Sequence, residues 1–164
     1  AMYGSGGVLE HSFDMKNYHR VTLNGIEVGE AGFIASVAGD LDLPVLFLSG
    51  DDRSCKEIAE LVPHVSTACV KQTLSRNAAV SLHPESASAE IARAVVRGIS
   101  RRDEITPFKI GGPVEMVVEY NSSAPVERNI LVPGVEREGS RSIRYKAENA
   151  TDAYRVFGLL ARIV

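Results

Sequence analysis

His11 and Glu30 are the two side chains near the start of this chain whose types and spacing could support chemistry. An imidazole exchanges protons near neutral pH, and a carboxylate where a strand ends and a helix begins sits among unpaired backbone donors, a common place for chemistry. Each also has a plain structural reading. His11 follows the glycine-rich run Gly4-Ser5-Gly6-Gly7 and could be a solvated loop residue. Glu30 opens a predicted helix, where a carboxylate is stabilised by about 0.3–1 kcal/mol through the helix dipole. A second group lies further on. Asp51 and Asp52 follow an apolar strand and suit helix capping, or a ligand at the carboxyl end of a parallel strand. Lys71, Ser75 and Arg76 sit in the polar stretch after the next strand, where they are substrate-binding candidates for a carboxylate or phosphate. A solvated loop is the alternative for all three. His19, His64 and His83 suit edge or helix-boundary positions.

The elements that must carry these residues follow from periodicity. Asn24-Gly25 divides His19–Leu23 from Ile26–Val28, the signal for a hairpin on a type I′ turn. A helical period then begins at Glu30 and runs to Leu41, with Ala31, Ile34, Ala35 and Ala38 as its expected buried stripe. Val45–Leu48 is apolar on both faces, as expected of a central strand in a parallel sheet. A helix capped by Asp51 or Asp52 should run to about Val62, and Val65–Val70 supplies the next strand of a right-handed βαβ unit. Pro84 starts a long helix to about Ser100. Pro113–Tyr120 alternates as a strand, Ser142–Tyr145 is a weaker one, and Ala150, Ala153, Tyr154, Phe157 and Leu160 mark a terminal helix. The expectation is a single α/β domain over residues 1–164, a βαβ-containing sheet flanked by helices, with a β-hairpin near the amino end.

Bulk properties exclude several classes. A chain of 164 residues, 45% hydrophobic and 24% charged, can bury a core of its own. A net charge of −3 argues against a nucleic-acid surface. The apolar run Leu43–Leu48 is far too short to span a membrane. Cys55 and Cys69 belong to no CxxC or Cys/His cluster, which excludes a zinc knuckle and suits a reducing, cytoplasmic setting. No Gly-Lys-Ser/Thr follows the glycine run, and no HExxH or GxSxG is present, so a P-loop, a zincin and a serine-hydrolase elbow are also excluded.

Three stretches taken together add a resemblance. Val28–Gly32 with Ala38-Gly39, Leu43–Asp52 (LPVLFLSGDD) and Val70–Arg76 resemble the zinc-dependent D-aminopeptidase family, metallopeptidases encoded beside dipeptide transporters in some bacteria. Pro133–Glu136 and the Asp152-Ala153-Tyr154 helix fit the same pattern. The match covers nearly the whole chain, as the carboxyl-terminal portion of such a protein. Family members are longer at the amino end, where an Asp-x-Glu pair and a histidine bind zinc. A further ligand histidine falls in a Tyr-His-Ala-Met-like motif, whose tail matches Ala1-Met2. The resemblance implies that Glu30 is a zinc ligand and His11 the catalytic histidine, with a spacing between them about one residue longer than the family's. It also implies hydrolysis of short D-amino-acid peptides such as D-Ala-D-Ala, and assembly into a homo-oligomer. With most zinc ligands outside it, this chain alone is expected to be inactive. The rival is a non-catalytic α/β binding or oligomerisation domain.

Overall fold

In the computed structural model, which describes residues 1–163, Asn24 and Gly25 adopt φ of 49° and 79°. Both values are those a type I′ turn requires. The turn joins β1 (Tyr18–Leu23) to β2 (Ile26–Glu27), with Leu23 opposite Ile26. Asn24 also braces the sheet: its Nδ2 donates to Gly111 O at 2.8 Å and its Oδ1 accepts from Glu115 N at 2.7 Å.

β1 pairs with β6 (Val114–Tyr120), which pairs with β8 (Ser142–Ala147), and β7 (Val135–Arg137) closes the far edge. This five-stranded sheet, ordered β2-β1-β6-β8-β7, is antiparallel throughout. Alternation puts Tyr18, Val21, Leu23, Val114, Met116, Val118, Tyr120 and Ile143 in the core, while Arg20, Glu119 and Arg144 face water. Helix α1 (Glu30–Asp40) and helix α5 (Ala150–Leu160) contribute Phe33, Ala153, Phe157 and Leu160 to that core.

The second sheet is small. It holds β3 (Phe47–Asp51), β4 (Ser66–Ser75) and β5 (Ala78–Ser81) in that order. Helix α2 (Asp52–Leu61) is the crossover between β3 and β4, and helix α3 (Pro84–Ser100) follows β5. A short helix, α4 (Ala124–Asn129), packs under β8. The architecture is therefore mixed α/β, with helices flanking two sheets.

Several expectations are corrected. The apolar run from Val45 does not lead into a central strand. Among the described residues β3 is an edge strand paired only with β4, the one parallel pair, and Val45–Leu48 are half-buried. An apolar run has the same pattern whether one or both of its faces are covered, so periodicity could not tell these apart. The stretch Lys71–Ser75 is not a loop. It continues β4 and pairs with β5 across the turn at Arg76-Asn77. Backbone hydrogen bonding holds this ribbon although it is polar and exposed, so no hydrophobic alternation announces it. In α1 the buried residues are Gly32, Phe33, Ala35, Ser36 and Gly39, whereas Ile34 is 48% exposed. The helix is covered on two sides, and its small residues let neighbours approach. A Cβ on Gly39 would lie 2.0 Å from Phe108 O. Strands β5 and β7 and helix α4 had no clear signal in the sequence.

Candidate functional site

The loop between Gly4 and Asp14 carries His11, and two residues in the left-handed region bracket it: Leu9 at φ 50° and Phe13 at φ 62°. Non-glycine residues rarely adopt such angles, and they persist where surrounding contacts over-determine them. Those contacts are present. Glu10 Oε2 accepts from Gly7 N at 3.2 Å and from Gly6 N, folding the glycine run around its carboxylate. Val8 N donates to Asp51 Oδ2 at 3.0 Å, and Leu9 N donates to Arg76 O at 2.7 Å. The loop is thus tied to the end of β3 and to the β4–β5 turn.

Within this frame His11 and Glu30 meet. His11 Nδ1 lies 2.8 Å from Leu9 O, and its Nε2 lies 3.5 Å from Glu30 Oε1. If Nδ1–H donates to the carbonyl, Nε2 is left free to accept a proton, and the resulting imidazolium pairs with Glu30. Glu30 Oε1 in turn accepts from Phe13 N at 2.9 Å. Each strained residue therefore supplies one backbone group to the pair. Both side chains remain about half exposed, at 47% and 45%. The Ala1 carbonyl accepts from His11 N at 3.1 Å, which places the first residue of the chain beside this histidine.

The remaining candidates separate. Arg76 shares a cavity of about 530 Å³ with His11, together with Leu9, Phe13, Asp14 and Met15. Lys71 lines a different hollow with Ala1, Val8, Asp51 and Ser54. Ser75 is exposed on the β4–β5 ribbon opposite Ala78 and lines neither. Asp51 is the helix cap: its Oδ1 accepts from Ser54 N at 2.7 Å at the start of α2. Asp52 instead holds β4, accepting from Thr73 N at 2.9 Å.

Glu57 had no place in the sequence reading. It projects from α2, accepts from Met2 N at 2.9 Å and is half-buried. Burial pushes its carboxyl above the usual range; the Met2 N–H pulls the other way, and the charges of Glu30 and Asp51 add to the rise. In sequence it is one glutamate of a charged helix, with no spacing that separates it from a solvated one.

Glu30 fits a single zinc ligand, a partly exposed carboxylate at the start of a helix. Among the described residues, however, no group of three His, Cys, Asp or Glu converges to hold a metal.

A braced histidine beside a partly exposed carboxylate, on an α/β scaffold, is the geometry that the comparisons with known proteins meet. A family model described as D-aminopeptidase matches residues 1–159, and the chain belongs to that family. It is 32% identical over 160 residues to the D-aminopeptidase of Bacillus subtilis (strain 168), covering 96% of this chain and 57% of that protein. Its fold matches the solved "Zn-dependent D-aminopeptidase DppA from Bacillus subtilis, a self-compartmentalizing protease", with a TM-score of 0.94 and 31% identity. That alignment covers 99% of this chain and 60% of the DppA chain, so this chain spans somewhat over half the length of each relative. Zinc is the metal of the solved relative.

Proposed function

We propose that this chain is the carboxyl-terminal portion of a zinc-dependent aminopeptidase that removes amino-terminal D-residues from short peptides. The observation that carries the reading is the convergence of His11 and Glu30 at 3.5 Å, each held by a backbone group of the same strained loop. Family membership supports assigning peptide hydrolysis to this pair.

In this reading Glu30 is one zinc ligand, joined by others from outside the described residues. Zinc bound there supplies Lewis-acid polarisation of the scissile carbonyl. His11 moves the proton: Leu9 O orients the ring, Nε2 takes the proton, and Glu30 stands beside the charge that forms. The half-open cavity next to His11 admits a small peptide. Assembly into a homo-oligomer belongs to the same reading. The apolar side chains exposed on and near α3, Val96 at 67% and Val80 at 59%, suit such contacts.

The test is made in the intact protein. His11→Ala should lower kcat on D-Ala-D-Ala by about 10²- to 10⁴-fold while zinc content stays the same. Unchanged kcat would remove His11 from the reaction. Residues 1–164 alone should show no zinc-dependent hydrolysis, because one glutamate cannot hold a catalytic metal. Activity from that chain would overturn the reading of it as part of a divided site.

A further inference from the structure

The cavity beside His11 has one cationic wall. Arg76 reaches it from the β4–β5 turn, and Leu9, Phe13 and Met15 make the apolar remainder. The guanidinium is positioned before any ligand arrives. Its Nη2 donates to Glu10 O at 3.1 Å and touches the Met15 sulfur, while the Arg76 carbonyl accepts from Leu9 N at 2.7 Å. Its Nε and Nη1 make no hydrogen bond among the described residues, and no carboxylate pairs with it there. Asp14 lines the same cavity, but its oxygens serve their own turn, accepting from Lys16 N at 2.9 Å and from Asn17 Nδ2. A guanidinium held at Nη2 beside an apolar hollow, with Nε and Nη1 still able to donate, suits a carboxylate attached to a small apolar group.

We propose that Arg76 binds the free C-terminal carboxylate of the peptide lying against His11, and so selects for peptides that end within this cavity. The side chain next to that carboxylate then lies against Leu9, Phe13 and Met15. This rests on His11 marking the scissile bond, as set out above. Arg76 is a specificity residue here and takes no part in proton transfer.

Binding tests the assignment apart from catalysis, because Arg76 and the apolar side chains that the proposal uses all belong to this chain. Residues 1–164 are titrated with D-Ala-D-Ala and with its C-terminal amide, and the Arg76 Nε–H and Met15 methyl resonances are followed by NMR. The acid should bind about tenfold more tightly than the amide and shift both resonances. Arg76→Gln should abolish that preference. Arg76→Lys, which keeps the charge, should retain part of it and covers the case in which Arg76→Gln does not fold. Equal binding of acid and amide, a preference that survives in Arg76→Gln, or no binding of either peptide would overturn the proposal. A carboxylate preference in a protein whose turnover ignores His11→Ala would keep Arg76 and remove the peptidase mechanism.

Discussion

Glu30 and Asp51 are both carboxylates at the start of a helix, yet their surroundings separate their roles. Asp51 is 6% exposed and is used up by Val8 and Ser54, whereas Glu30 gives one oxygen to Phe13 N and otherwise faces His11. Replacing Glu30 by Gln keeps an acceptor for Phe13 but removes the charge. In the intact protein it should cut zinc occupancy sharply with little change in stability, as metal analysis and thermal melting would show; unchanged metal content would exclude Glu30 as a ligand. For Asp51, burial alone would raise the pKa. Hydrogen bonds from Ser54 and Val8 outweigh it and hold the carboxyl below its ordinary range. A lowered folded pKa means that the stabilisation is complete above about pH 4 and is lost as pH falls through the folded value. Asp51→Ala should therefore cost about 1–2 kcal/mol at pH 7 and progressively less in acid, read from denaturant midpoints at both pH values.

Helix α1 is the element on which the site depends, since it presents Glu30 while packing on two sides. Phe33 enters the core of the antiparallel sheet, and Ala35 packs with Ile58, Val62 and Ile105. Gly39 sits where the helix meets the backbone of Phe108. Alanine there would gain about 1 kcal/mol in helix propensity. The clash is with a carbonyl that cannot rotate away, so Gly39→Ala should be destabilising by about 1–3 kcal/mol. A melting temperature at or above that of the wild type would show that the 105–110 segment yields instead.

At the scale of the whole molecule, the two hydrophobic clusters join through α1, and the loop that carries His11 rests on that joint. Phe13 packs edge-on against Phe33 at 6.1 Å between centroids and lies 4.5 Å from Phe157, while its N–H holds Glu30. Phe33→Ala should cost about 3–5 kcal/mol. It should also speed hydrogen exchange at the Phe13 amide, because the ring that seats the loop loses its neighbour. Equal exchange rates in the folded variant would uncouple core packing from the site.

Local structure was legible in the sequence because its causes are local. Asn24-Gly25 forces its turn, Asp51 caps α2, Pro84 starts α3, and alternation along β6 marks its buried face. The order of motifs was enough to name the family and to single out His11 and Glu30. Tertiary structure decided what depends on neighbours far along the chain. It made β3 an edge strand, paired the polar Lys71–Ser75 ribbon, and chose Phe33 over Ile34 for burial. It also divided the three substrate-binding candidates, bringing Arg76 alone to His11, and brought Glu57 within reach of the Glu30 charge. Periodicity reports which way a side chain points from its own element. Which other element covers it, and at what distance, is settled only when the chain closes on itself.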